Sequence, residues 1–217
     1  MKKAVIFDLD GTLSDSISSI KYSCDKALET LGYGPLTVSQ YKIFVGDGAA
    51  NLVKRALHAC GDTGLMHFED TFARYKDIFA LHCMDGVKPY DGITELIAAL
   101  KEKGIRLAVL SNKPHAETIH VVETLYGPGC FDVIQGQKEN VAIKPSPEGV
   151  FCILKEMNLT AEDILYVGDT CTDMRTGKGA GAFTVGCLWG FRDRKELEEN
   201  HADAIIEKPI HLLDYIG

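Results

Sequence analysis

The sequence predicts an α/β protein: a doubly wound parallel sheet, Rossmann-like in its core, with an inserted all-helical cap. Two observations support this fold. From about residue 88 onward, short apolar strands alternate with helices, which is typical of a parallel sheet with right-handed crossovers. Between Ser16 and Leu81, by contrast, the sequence favours helices only. We therefore expect an α/β core of residues 1–14 and 84–217, interrupted by a cap of residues 15–83.

The first predicted strand, Ala4–Phe7, is followed by two carboxylates. Its four apolar residues are typical of a strand that is buried on both faces. Asp8 and Asp10 come at its carboxyl end, where ligands bind in open α/β sheets, and Gly11 permits a sharp turn. A divalent cation would offset the repulsion between the two carboxylates, and an ionised Asp is then available as a nucleophile. An ordinary Asp–Gly turn is the structural alternative.

The cap is predicted to consist of four helices. The first lies within residues 14–31, has apolar residues at helical spacing on one face, and stops at Gly32–Pro35. Glycine-rich loops separate the other three, which are predicted over Val38–Phe44, Ala49–Cys60 and Leu65–Leu81.

The alternation of strands and helices resumes after residues 88–92. The predicted strands of this part are 106–110, 131–134, 164–167, 183–187 and 204–206. The predicted helices are 93–103, 115–125, 147–158 and 171–180, with a terminal helical turn at 209–215. Gly104 closes the first of these helices, as glycine often does after a C-terminus.

Polar groups suited to phosphate or metal binding follow the later strands as well. The second predicted strand is followed by Ser111 and Asn112, and Lys144 lies in a proline-stiffened loop after the third. Asp169 and Asp173 follow the fourth, one helical turn apart. Each of these groups also has an ordinary structural explanation. Ser111 and Asn112 could form a turn, and Lys144 could be a solvated surface charge. Asp169 could cap a helix, and Asp173 could be an acid in its first turn. Because parallel strands end at one edge of a sheet, we expect a single site instead.

Composition narrows the range of partners. The 217 residues carry a formal net charge of −8, and no block of Lys or Arg suggests nucleic-acid binding. Apolar stretches are too short to span a membrane or to form a signal-peptide core. The seven cysteines are scattered, as is typical of reduced thiols in the cytoplasm. We therefore expect a cytoplasmic monomer or homodimer that binds neither nucleic acid nor membranes.

The order of the polar groups resembles the four motifs of the haloacid dehalogenase-like phosphatases, and the resemblance covers the whole chain. Here the motifs are Asp8-x-Asp10-Gly11-Thr12, Ser111, Lys144 and Gly168-Asp169-x-x-x-Asp173. The insertion point of the cap matches this superfamily too. The resemblance implies magnesium-dependent hydrolysis of a small phosphorylated metabolite through an aspartyl-phosphate intermediate.

The same resemblance implies a role for each matched residue. Asp8 would attack phosphorus, and Asp10 would protonate the leaving oxygen and then activate the hydrolytic water. Lys144 would screen negative charge near Asp8. The substrate would be bound by Thr12, Ser111, Asn112 and Lys144. Magnesium would be bound by Asp8, the main-chain carbonyl of Asp10, Asp169 and Asp173, the last of these directly or through water.

The cap sequence suggests a substrate. Residues 44–48 and 52–57 resemble the cap segment of the phosphoglycolate phosphatases, and Arg55 would pair with a substrate carboxylate. Alternatively, Arg55 lies on a solvated helix face. Relatives with similar caps act on pyrophosphate, nucleotides or sugar phosphates, so these substrates stay open.

Two further functions remain as alternatives. A phosphosugar mutase of the same superfamily would reuse the aspartyl phosphate. A phosphorylatable switch or binding module would keep the phosphate on Asp8 as a signal. Asp10 argues against the switch, since a positioned acid/base promotes turnover. Steady release of phosphate from a generic ester would separate an enzyme from a switch.

Overall fold

A computed structural model describes all residues, Met1–Gly217, and they form two compact units. The core unit comprises Met1–Asp15 and Lys88–Gly217, and the cap unit comprises Ser16–Val87. Both junctions therefore lie slightly beyond the positions predicted from the sequence. At the first junction the reason is a short antiparallel ribbon, in which Ser14 pairs with Pro89 and Asp15 pairs with Lys88, so Asp15 belongs to the core unit. At the second junction residues 84–87 belong to the cap unit, where the hydroxyl of Ser18 donates to the carbonyl of Asp85 (3.3 Å).

The core unit contains a six-stranded sheet, which confirms the predicted fold class. Its strands lie in the order β5-β4-β1-β6-β7-β8, and every pair of neighbours is parallel. The ribbon strands are β2 (Ser14–Asp15) and β3 (Lys88–Pro89). The sheet strands are β1 (Ala4–Phe7), β4 (Arg106–Pro114), β5 (Val133–Gln137), β6 (Ile164–Gly168), β7 (Phe183–Cys187) and β8 (Ala204–Ile206). All four residues of β1 are buried, as expected for a central strand.

The helices of the core unit cover the sheet. On one face, Ala4 and Ile6 of β1 share a buried apolar cluster with Val150 and Ile153. Asp193 accepts a hydrogen bond from the amide of Glu196 (3.0 Å) and so begins a helix that was not predicted. The core helices are α5 (Ile93–Glu102), α6 (His115–Tyr126), α7 (Glu148–Met157), α8 (Cys171–Gly179) and α9 (Arg194–Glu199), with 3-10 helices at Ala161–Asp163 and Pro209–Tyr215.

The cap unit is entirely helical. Its helices are α1 (Ile17–Glu29), α2 (Val38–Phe44), α3 (Ala49–Ala59) and α4 (Phe68–His82). The last begins three residues later than Leu65, the predicted start. There the carboxylate of Asp62 accepts hydrogen bonds from the backbone amides of Met66 and His67 (3.0 Å each). Leu65 itself has a positive φ of 53°, which is not a helical conformation. No helix of either unit has the length and apolar character needed to cross a bilayer.

Candidate active site

Three adjacent strands bring the predicted residues of the core to one edge of the sheet. Asp8 directly follows β1, Ser111 and Asn112 lie in the last part of β4, and Asp169 follows β6. Because β1 lies between β4 and β6, these strand ends are neighbours. The main chain of Asp8 is itself fixed, since its amide donates to the carbonyl of Val167 (2.9 Å).

Lys144 enters this group from the loop between β5 and α7. The Asn112 side chain holds its backbone twice: Nδ2 donates to the Lys144 carbonyl (3.0 Å), and Oδ1 accepts the Lys144 amide (2.8 Å). The Asn112 amide thus positions the loop that carries Lys144. The predicted contacts of Asn112 and Ser111 with substrate stay predictions.

The Lys144 ammonium lies between two carboxylates. Its Nζ is 2.6 Å from Asp8 Oδ1 and 2.7 Å from Asp173 Oδ1, and all three side chains are buried. Burial alone lowers the pKa of Lys144, but Asp173 and Asp8 outweigh this effect and raise it well above its usual value. Lys144 is therefore a permanent cation beside Asp8.

Asp8, Asp169 and Asp173 form a buried acidic cluster. One carboxylate oxygen from each residue lies within 4.8 Å of the others. Burial, followed by repulsion from Asp173, raises the pKa of Asp8 well above its usual value despite Lys144. The same two causes raise the pKa of Asp169 to about 7. The single ammonium of Lys144 thus leaves negative charge uncompensated, and the all-oxygen donor set fits a hard divalent cation such as magnesium.

Local hydrogen bonds orient two members of this cluster. The hydroxyl of Thr12 donates to Asp169 Oδ1 (3.1 Å), and the amide of Phe191 donates to Asp169 Oδ2 (2.7 Å). Thr170, rather than Asp169, is the N-cap of α8 and forms a capping box with Asp173: the Thr170 hydroxyl accepts the amide of Asp173 (3.4 Å), and Asp173 Oδ2 accepts the amide of Thr170 (3.1 Å). The same hydroxyl also donates to Asp173 Oδ2 (2.7 Å). Asp173 therefore caps a helix and also belongs to the acidic cluster.

Thr12 and Asp10 have different surroundings. Thr12 is fully buried, and its hydroxyl donates a hydrogen bond to Asp169. Its predicted contact with substrate stays a prediction. Asp10 pairs through Oδ1 with Lys113 Nζ (2.6 Å), whose side chain is only 2% exposed. No role for Lys113 was predicted from the sequence. Its position directly after Ser111 and Asn112, at a strand end, was the available signal.

Arg55 belongs to the cap unit and has partners there. Its guanidinium forms a two-pronged ion pair with Asp47 (2.5 and 2.6 Å) and donates to the carbonyl of Phe44 (2.7 Å). These contacts stabilise the loop between α2 and α3, which contains Gly46 and Gly48 and is called the glycine loop. The predicted contact between Arg55 and a substrate carboxylate stays a prediction.

Comparisons with known proteins identify the family of this chain. Residues 5–187 match the family model of the haloacid dehalogenase-like hydrolases. A phosphoglycolate phosphatase from Rhodospirillum rubrum is 34% identical to this chain, over 100% of the chain and 92% of its own length. Another from Aquifex aeolicus is 33% identical, over 97% of this chain and 95% of its own.

Solved structures show the same architecture. A protein from Lactobacillus delbrueckii subsp. bulgaricus, provisionally named a phosphoglycolate phosphatase, superposes with a TM-score of 0.92 at 29% identity, covering 100% of this chain and 99% of its own. CbbY from Rhodobacter sphaeroides, solved with phosphate, superposes with a TM-score of 0.80 at 24% identity, covering 98% and 96%. The second likeness shows the fold alone.

Proposed function

Because this chain belongs to the haloacid dehalogenase-like hydrolases and is a phosphatase of that family, we propose that it hydrolyses phosphoglycolate with magnesium through an aspartyl phosphate. The observation that carries the mechanism is the arrangement around Asp8. This buried carboxylate at a central strand end has the Lys144 ammonium at 2.6 Å and two further carboxylates beside it. Asp10, two residues later, pairs with a separate lysine.

In the first half-reaction, a carboxylate oxygen of Asp8 attacks phosphorus. The bond from phosphorus to the ester oxygen breaks, and Asp10, acting as the general acid, gives a proton to that departing oxygen. The Lys144 ammonium offsets part of the negative charge of Asp8 and Asp173. This lowers the electrostatic repulsion between Asp8 and the anionic phosphoryl group. Phosphoryl transfer depends mainly on such positioning and charge neutralisation.

In the second half-reaction, Asp10 acts as a base. It takes a proton from a water molecule, whose oxygen attacks phosphorus and displaces the Asp8 carboxylate as inorganic phosphate forms. Both aspartates return to their starting states. The carboxylates of Asp8, Asp169 and Asp173, with the main-chain carbonyl of Asp10, would hold magnesium. When bound, the ion supplies neutralisation of the charge on the phosphoryl oxygens.

The substrate is proposed from the relatives at 33% and 34% identity, which are phosphoglycolate phosphatases. The test is a phosphate-release screen in magnesium over phosphoglycolate, pyrophosphate, nucleoside monophosphates and sugar phosphates. We expect the highest kcat/KM for phosphoglycolate. A higher kcat/KM for another ester would overturn the proposed substrate but leave the proposed phosphatase reaction standing. Isomerisation of a phosphosugar without phosphate release would indicate a mutase, and a long-lived phosphoprotein would indicate a switch.

A further inference from the structure

We propose that the loop Trp189–Phe191, which follows β7, is a positioning element for the cation site: it holds the carboxylate of Asp169 in the orientation that ligation requires. The inference rests on the proposed function, since it acts through Asp169. None of the three loop residues belongs to the four motifs around Asp8, Ser111, Lys144 and Asp169. Each of them makes a separate contact with Asp169 or with the segment that packs against it.

The first contact fixes the carboxylate itself. Phe191 donates its amide to Asp169 Oδ2 (2.7 Å), and Thr12 donates its hydroxyl to Oδ1 (3.1 Å), so each oxygen has a donor. Asp169 is fully buried, and these two donors therefore do the work that water would do at an exposed site. A carboxylate oxygen that accepts one hydrogen bond still has a lone pair for a cation.

The second contact is backbone packing at Gly190. A Cβ at this position would lie 2.4 Å from Cβ and Oδ2 of Asp169 and 2.4 Å from the carbonyl oxygen of Gly11. At Gly11, which has a positive φ of 95°, a Cβ would lie 2.3 Å from the same Oδ2. The carboxylate is thus enclosed by two backbone segments that carry no side chain. An alanine at either position must displace it.

The third contact ties the loop to the opposite segment. Trp189 donates its indole Nε1 to the carbonyl of Thr12 (2.9 Å), and Thr12 in turn donates to Asp169. The loop therefore reaches Asp169 directly through Phe191 and indirectly through Thr12. Outer contacts of this kind orient the ligands of metal sites, and their loss weakens metal binding about 10- to 100-fold.

The test compares Gly190→Ala with Gly179→Ala, measuring magnesium binding to chelator-treated protein by calorimetry. Gly190→Ala is expected to weaken magnesium about 10- to 100-fold and to raise the magnesium concentration needed for half-maximal activity. The KM for phosphoglycolate at saturating magnesium should stay unchanged. Gly179→Ala places its Cβ no closer than 3.4 Å to Pro147 and should bind magnesium normally. Melting temperatures separate these effects from general destabilisation, which lowers stability without changing affinity.

A second variant decides the matter if Gly190→Ala does not fold. Trp189→Phe keeps an aromatic ring but removes the hydrogen bond to Thr12, and it should weaken magnesium roughly three- to tenfold. A folded Gly190→Ala, or in its absence a folded Trp189→Phe, that binds magnesium like the unmodified protein overturns the role of the loop. Failure of the unmodified protein to release phosphate in magnesium overturns the proposed function instead, and failure to bind magnesium overturns both.

Discussion

At the scale of single residues, each of the two carboxylates proposed to react, Asp8 and Asp10, pairs with a separate lysine. Lys144, from the loop before α7, contacts Asp8, and Lys113, from β4, contacts Asp10, each at 2.6 Å. A second carboxylate neighbour of Lys144, Asp173, is held by the cap of α8. Asp8, the proposed nucleophile, and Asp10, the proposed acid/base, therefore have distinct electrostatic surroundings although they are only two residues apart.

We expect Asp8→Asn to lower kcat by well over a thousandfold, because a neutral amide cannot replace the attacking carboxylate. The variant keeps the shape of the side chain, so its melting temperature should stay close to that of the unmodified protein. Mass spectrometry after acid quenching should find phosphorylated Asp8 only in the unmodified protein. Substantial turnover by folded Asp8→Asn would show that another group is the nucleophile.

We expect Lys113→Met to lower the free energy of unfolding by about 3 kcal/mol, because it leaves the largely buried Asp10 carboxylate without its partner. In the Lys113→Met background, Asp10→Asn should cost less than it does alone, with a coupling of about 1–3 kcal/mol. Urea unfolding of the four proteins without metal measures this cycle. Additive losses would mean that the pair contributes no stability.

At the scale of elements, the turn from β6 into α8 is built around a glycine. A Cβ on Gly168 would lie 2.2 Å from Cβ of Asp173, so no other residue fits at this strand end without moving the first turn of α8. The close approach places Asp173 beside both Asp8 and Lys144. The geometry of the acidic cluster is therefore partly a property of a strand-to-helix connection.

The helix α3 carries the residue proposed for substrate selection. We expect Arg55→Ala to lower kcat/KM for phosphoglycolate roughly thirtyfold, about 2 kcal/mol, relative to an aryl phosphate without a carboxylate. Asp47→Asn is the matched control, because it breaks the ion pair but keeps the arginine. If Asp47→Asn causes the same selective loss, bracing of the glycine loop matters more than the charge; equal losses on both substrates make Arg55 structural.

The contacts that Asp203 makes between α8, β7 and β8 should lose their contribution to the free energy of unfolding in acid. Asp203 accepts the amide of Thr184 (2.8 Å) and pairs with Lys178; burial raises its pKa, but Lys178 and Thr184 outweigh burial and lower it. The resulting stability is present above the unfolded pKa of about 3.9 and is lost as pH falls through the folded pKa.

Urea unfolding between pH 5 and pH 2.5 checks this expectation. The unmodified protein should lose more of its free energy of unfolding than Asp203→Asn across this window, because the variant has no carboxylate to protonate. Asp214→Asn, an exposed substitution, should behave like the unmodified protein. Identical acid curves for Asp203→Asn and the unmodified protein would contradict the role of this carboxylate.

At the scale of the whole molecule, the strand order of the sheet determines which residues meet. The central strands β4, β1 and β6 bring Lys113, Asp8 and Asp169 together, although the first and last of these lie on different halves of the sheet. The buried carboxylates of Asp8, Asp169 and Asp173 repel one another in the folded state, and a bound cation would relieve this repulsion. Stability of the entire protein should therefore depend on metal.

We expect excess chelator to abolish activity and magnesium to restore it. At roughly 100 times its dissociation constant, magnesium should add about 2.7 kcal/mol to the free energy of unfolding, and Asp169→Asn should remove most of this gain. Calcium should bind but support turnover poorly, since its longer and looser coordination misplaces the phosphoryl group. Full activity in chelator would exclude a required cation.

The sequence by itself determined the types of most elements, though not of α9 or of the β2–β3 ribbon, and most of the cluster at the sheet edge. Apolar periodicity is a local property, so the buried strand Ala4–Phe7 and the helices of the cap were predictable, with ends displaced where side chains such as Asp62 cap a turn. Asp8, Lys144 and Asp169 were predictable because motif order and strand ends coincide.

Only the tertiary structure decided which of these groups touch. Lys113 and Asp10 lie 103 residues apart in the chain, and Phe191 lies 22 residues from Asp169. The alternation of strands and helices predicts a parallel sheet, but it does not specify that β4 and β6 flank β1 or that β7 lies beside β6. Contacts between distant residues follow from that order and from side-chain packing, because neither is encoded in a local pattern.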